Sequence, residues 1–196
     1  MAFVHPDMAS IDRAVRERLP AELYSHSIRV AEAAALLAAK HAPAEAERAR
    51  MAGLLHDIAK PYSDAQLLGL AEKFGILPAS VEQRSPRLLH APVGAEIAKN
   101  DFGIADEDLL SAIRCHTVGL RGMPKCAMIL YIADATESER EFDGVEAIRA
   151  ASGRSLREGC LMRAASTVAY VMRMGWEVDE RTIDLYNSLI NVEGTH

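Results

Sequence analysis

Residues 54–60 read Leu54-Leu55-His56-Asp57-Ile58-Ala59-Lys60. A histidine and an aspartate stand together in an apolar run of helical period, with Met51, Leu54, Leu55 and Ile58 marking its inward face. An ionised carboxylate buried there without a partner costs several kcal/mol or more, so Asp57 must be paired, hydrogen-bonded or metal-bound. Lys60 follows His56 by four residues and Asp57 by three, within reach of the same surface.

Upstream, residues 21–41 place Leu23, His26, Val30, Ala34 and Leu37 on one face, and Pro43 breaks the pattern. If 21–42 and 44–60 form an antiparallel helical hairpin turning at Pro43, His26 and His56 stand at heights of ~25 and ~20 Å from the turn, at ~1.5 Å per residue. His26 then approaches His56 and Asp57, and nitrogen and oxygen ligands can share a divalent cation. Spacing alone leaves the plainer alternative open: a core histidine with satisfied ring nitrogens, beside an incidental His-Asp pair. A further carboxylate ends the apolar run Tyr131-Ile132-Ala133-Asp134. As a surface residue it would oppose the helix dipole, but spacing does not bring it beside His56.

The rest of the chain is helical by the same criterion, and the expected fold class is all-α. Helices are expected over 8–19, 21–41, 44–59, 65–74 with Asp64 as N-cap, and from about Pro92 to Phe102. Others run over 107–116 capped by Asp106, from Pro124 to about Asp134, from Ser155 to about Met174, and over 180–191 capped by Asp179. Residues 75–90 read as a loop with room for one helical turn. Residues 117–123, with Gly119 and Gly122, read as a loop and a candidate lid. Met172 and Met174 read as core filler; His5, His41 and His196 read as surface residues. Residues 1–20 form an N-terminal helical segment, and 21–196 one helical domain with its C-terminal helices.

Composition agrees. The 196 residues suit one domain. Aromatics are only 5%, while Ala and Leu are plentiful and β-branched runs scarce, which favours helix. The net charge of −6, with no Lys/Arg-dense run, argues against a nucleic-acid partner. An anionic ligand must therefore meet local positive charge. No run approaches the ~20 apolar residues of a membrane span. The N-terminus does not read as a secretory signal, and Cys115, Cys126 and Cys160 read as buried thiols in a reducing cytoplasm. Phosphate-loop, dinucleotide-binding, H-E-x-x-H and G-x-S-x-G motifs do not occur.

The order His26, His56-Asp57, Asp134 resembles that of the HD-domain phosphohydrolases, an all-helical metal-binding superfamily. More closely, the blocks HSIRVAEAA (26–34), LLHDIAK (54–60), LLHAPVGAEIAKNDFGI (88–104), AIRCHTVG (112–119), ILYIADATESER (129–140), FDGVEAIR (142–149) and RTIDLYNSLI (181–190) resemble the YqeK family. These are bacterial hydrolases that split diadenosine tetraphosphate symmetrically into two ADP. Ala91 stands where that family usually has Gly, and Cys115 where it has an aromatic.

The resemblance implies a single helical HD-domain bundle. It implies that His26, His56, Asp57 and Asp134 ligate iron or another divalent metal. It implies phosphate contact for His90 and His116, with a second metal through the two histidines and Asp57 left open. Asp57 and Lys60 are the implied catalytic residues, and Lys60, Arg140, Thr117 and Ser25 the implied contacts to substrate. From the residues alone, Lys60 also reads as a surface lysine, Arg140 as a partner of Glu137 or Glu141, His90 as a helix-start residue and His116 as a helix-end residue. Other nucleotides remain alternative substrates, as does a non-enzymatic metal-binding module. No residue decides for or against a homodimer.

Overall fold

Pro20 separates the first two helices: it cannot continue α1 (Met8–Arg18), and it stands as N-cap of α2 (Ala21–His41). The computed structural model describes residues 7–190. A 3-10 turn, Pro43–Glu45, then leads into α3 (Ala46–Leu55). There follow α4 (Asp64–Lys73), α5 (Ser80–Arg84), a second 3-10 turn (Pro86–Leu89), α6 (His90–Asp101) and α7 (Glu107–Cys115). The remaining helices are α8 (Lys125–Thr136), α9 (Val145–Arg154), α10 (Leu156–Arg173) and α11 (Glu180–Ile190). The described residues contain no strand, so the fold is all-α as expected.

The core is organised around α8. Its residues from Ile129 to Ala135 are buried without interruption, the pattern of a helix enclosed on all sides. Helices α2, α7, α9 and α10 pack around it. The α2–α3 hairpin is tight because Gly53 has no side chain: a Cβ there would lie 2.7 Å from the Ala31 Cα. This close backbone approach lets side chains one turn further along, His26 and His56, meet.

Several expectations change. Helix α3 ends at Leu55, not at 59, because Ile58 N–H bonds to Leu55 O and Lys60 N–H to Asp57 O, three residues back. The chain tightens into turns through His56 and Asp57. The N-cap of α4 is Ser63, not Asp64. Ser63 and Gln66 form a reciprocal capping box, and Asp64 occupies the first turn, where negative charge is favoured. The 75–90 stretch holds α5 and a 3-10 turn. Helix α9 went unanticipated because Gly144, at φ 97°, opens it without a capping side chain. Met172 and Met174 are exposed, since the end of α10 runs past the helices that cover its start. His41 is half-buried and bonds to Ser152 O. His5 and His196 lie outside the described residues.

The 117–123 loop is not a free lid. Gly119 adopts φ +72°, and a Cβ there would collide with Leu185 Cδ2. Thr182 Oγ1 in α11 donates to Val118 O at 2.8 Å. Arg181 ties the start of α11 to the buried Glu82 of α5 at 2.7 Å. Helix α11 thus clamps the segment that follows His116.

Candidate metal centre

Three of the four clustered histidines occupy the same local position. His56 follows the last residue of α3, His116 that of α7, and His90 that of the second 3-10 turn. Carbonyls in a last helical turn lack intrahelical partners. Each ring turns its Nδ1 onto one of them: His56 onto Gly53 O at 2.7 Å, His90 onto Arg87 O at 2.5 Å, His116 onto Ile113 O at 2.8 Å. The fourth, His26 in α2, sets Nδ1 3.2 Å from Glu137 Oε1. A carbonyl only accepts, so Nδ1 of His56, His90 and His116 carries a proton, and in the neutral ring Nε2 is a lone pair.

All four Nε2 atoms point into one buried space holding Asp57 and Asp134. His26 Nε2 lies 3.2 Å from Asp134 Oδ1 and 3.8 Å from Asp57 Oδ2. His56 Nε2 lies 3.2 Å from Asp57 Oδ2 and 3.8 Å from Asp134 Oδ1. On the other side of the same carboxylate, Asp57 Oδ1 is 3.4 Å from His90 Nε2 and 3.6 Å from His116 Nε2. Asp57 therefore stands between two groups of ligand atoms. His26, His56 and Asp134 form one close set, and His56, Asp57 and His116 another.

The donor set fits a divalent cation. Among the described residues, His56 Nε2 and Asp57 Oδ1 are buried with no hydrogen-bond partner, which is costly unless a cation occupies the space between them. Each ring is fixed through its other nitrogen by a carbonyl or carboxylate, the arrangement that orients imidazole ligands at metal sites. Burial pushes the carboxyls of Asp57 and Asp134 up. It is outweighed at Asp57 by His56 and His116, and at Asp134 by His26, Arg163 and His56, so both stay well below the usual carboxylate range. Burial, with His116 alongside, pushes His90 down to about 4, leaving a neutral, ligand-competent ring. At His56 burial lowers the imidazole, but Asp57 and Asp134 raise it further.

Cationic side chains line the rim. Lys60 Nζ lies 2.6 Å from Asp57 Oδ2. Arg140 donates from Nη2 to Asp134 Oδ1 at 2.8 Å and from Nε to Asp134 O at 2.9 Å. The loop bearing Arg140 is held by Arg149, which donates to the carbonyls of Thr136, Glu137 and Arg140.

A family model described as "HD domain" matches residues 23–139. The chain belongs to the HD-domain family. It is 32% identical to "Bis(5'-nucleosyl)-tetraphosphatase, symmetrical" of Bacillus subtilis, over 90% of this chain and 94% of the relative. It is 34% identical to the protein of the same name from Staphylococcus aureus, over 89% and 90% of the two chains. A crystal structure from Clostridium acetobutylicum, described as a "predicted HD superfamily hydrolase involved in NAD metabolism", superposes with a TM-score of 0.90 at 34% identity, covering 95% of this chain and 98% of that one. HD-domain membership and the His/Asp groupings together imply dependence on a divalent cation.

Within this HD-domain centre, the fold brings His26, His56, Asp57, His90, His116, Asp134, Lys60 and Arg140 together. Asp134, which spacing could not place, is buried in the last turn of α8. Arg140 pairs chiefly with Asp134 rather than with Glu137, which is 3.9 Å away. Ser25 is exposed, beside Arg29 and Glu139 in a shallow depression. Two residues of the centre carry no site role in the sequence reading. Glu137 links His26 to Arg29. Arg163 places Nη2 3.4 Å from Asp134 Oδ2; its only sequence signal was an arginine amid the small residues of α10.

Proposed function

We propose that this chain is a metal-dependent hydrolase that splits diadenosine tetraphosphate, and related dinucleoside polyphosphates, symmetrically into two ADP. One observation supports this above the others: lone pairs of four imidazoles and two carboxylates converge on a buried space rimmed by Lys60 and Arg140. The shared ancestry with symmetrical tetraphosphatases over nine-tenths of the chain supports the choice of substrate.

In this reading His26, His56, Asp57 and Asp134 hold the cation, proposed to be iron. When bound, the cation supplies Lewis acidity to a phosphoryl oxygen and makes an attacking water more acidic. The chain's own residues do the rest. Asp57 orients the water as it attacks a central phosphorus, and the proton of the acidified water passes to solvent. The central bridging P–O bond breaks, and ADP departs opposite the attack. Lys60 and Arg140 offset the charge that develops on the leaving phosphate. Thr117, next to His116, and Ser25, exposed beside Arg29 and Glu139, donate hydroxyl hydrogen bonds to the phosphates.

His90 and His116 admit two roles. Phosphate contact needs a proton on Nε2. The Nδ1 anchors instead leave lone pairs there in the neutral rings, which favours a second cation shared with Asp57 Oδ1.

The deciding experiment supplies diadenosine tetraphosphate to the purified protein, identifies the products and determines bound metals by elemental analysis. ADP as sole nucleotide product supports the assignment. ATP with AMP, or no turnover beside rapid hydrolysis of another nucleotide, would overturn it.

A further inference from the structure

Beside the metal centre, α9, α10 and the loop before α9 enclose a groove of about 640 Å³, the size of a site for a small organic ligand. Its α10 residues include Arg163, Ser166, Thr167, Tyr170 and Arg173, which recur at the spacing of one helical face.

The groove has two chemically different ends. At the inner end are Thr117, adjacent to His116, and Arg163, adjacent to Asp134. The Arg163 guanidinium lies over the Tyr131 ring, 5.0 Å from its centroid, which holds it in a fixed plane. The Tyr131 hydroxyl beneath is buried, in reach of Thr167 and Arg163. Seven residues further along α10 stands Tyr170, about 10 Å away at ~1.5 Å per residue. That is the reach of a nucleoside from its 5′ oxygen to the far edge of its base. Phe142 lines the same groove. The two rings remain 45% and 40% exposed, leaving aromatic surface open to a planar partner.

We infer that this groove receives one nucleoside half of the substrate. The base stacks on Tyr170 and Phe142, and the phosphate chain enters the metal centre past Arg163 and Thr117. This rests on the reading of the centre as a dinucleoside polyphosphate hydrolase and extends it. Affinity is then drawn from a part of the substrate remote from the bond that breaks.

The test compares ADP and pyrophosphate binding by calorimetry in wild type, Tyr170→Ala and Phe142→Ala, each metal-loaded, with diadenosine tetraphosphate turnover measured alongside. Trp176, the chain's single tryptophan, packs edge-on to Tyr170 at 5.9 Å, so its emission in wild type gives a second readout of occupancy. Loss of one stacking partner is expected to weaken ADP ~5- to 100-fold and to leave pyrophosphate unchanged. Unchanged ADP affinity in both variants, or equal weakening of ADP and pyrophosphate, would overturn the groove assignment. Circular dichroism of each variant separates lost binding from lost folding. The two readings fail separately. Wild type that binds ADP through Tyr170 yet releases no ADP from diadenosine tetraphosphate sinks the reaction and keeps the groove. Normal turnover with unchanged ADP binding in both variants does the reverse.

Discussion

The Nε2 atoms of His90 and His116 lie 3.2 Å apart, and with both rings neutral and anchored through Nδ1 no proton stands between them. Two facing lone pairs beside the Asp57 carboxylate form an arrangement that a cation would stabilise. If a second cation sits there, His116→Ala lowers the metal content by about one equivalent per chain while the first site stays filled. Elemental analysis checks this. Unchanged stoichiometry with a raised KM would instead return both histidines to phosphate contact.

Asp57 touches both groups of ligand atoms. Asp57→Ala is expected to remove the bound metal and to abolish turnover, read by elemental analysis and product formation. Full activity in this variant would refute the site.

Lys60 reaches Asp57 through an ammonium group, which has no lone pair to offer a cation. Lys60→Ala is expected to keep its metal and lower kcat ~10²- to 10³-fold, the scale for removing one group that stabilises transition-state charge. An unaltered rate would make Lys60 a surface lysine.

Gly119 and Gly122 share positive φ but differ in surroundings. A Cβ at Gly122 meets nothing within 4 Å, so Gly122→Ala should cost only the backbone term of about 1–2 kcal/mol. Gly119→Ala meets Leu185 as well and should cost a further ~1–3 kcal/mol. Urea unfolding of both variants compares them; equal losses would mean that α11 does not clamp this loop.

Asp106 caps α7 through Leu109 N–H and pairs with Arg48 at 2.7 Å. Burial raises its carboxyl, but the bonds from Arg48 and Leu109 outweigh this and hold it below the usual value. A depressed carboxyl stabilises fully above its unfolded pKa of ~3.9, and the contribution fades as pH falls from there through the lower folded value. Asp106→Asn keeps a capping oxygen and loses the charge. Its deficit in unfolding free energy should be constant from neutral pH to about 5 and shrink in more acid solution. A deficit that grows with acid would contradict this.

Much of this was legible in one dimension. Helical period, prolines and caps gave the all-α class, because these signals act within a few residues of themselves. The tight α2–α3 hairpin made the His26–His56 approach readable as well, since both residues lie at similar heights from the same turn. Resemblance, not spacing, supplied Asp134, because no local pattern relates positions more than a hundred residues apart.

The sequence by itself determined most of the helices, though not α9, and that Asp57, set in an apolar run, would need a partner. Only the tertiary structure decided that His90 and His116 face the second oxygen of Asp57, that Arg163 and Glu137 brace the ligands, and that α11 holds the loop after His116. Helix formation is set by neighbours along the chain. The pairing of helices is set by how buried faces fit, as where Gly53 meets Ala31, and that fit exists only once the chain has packed.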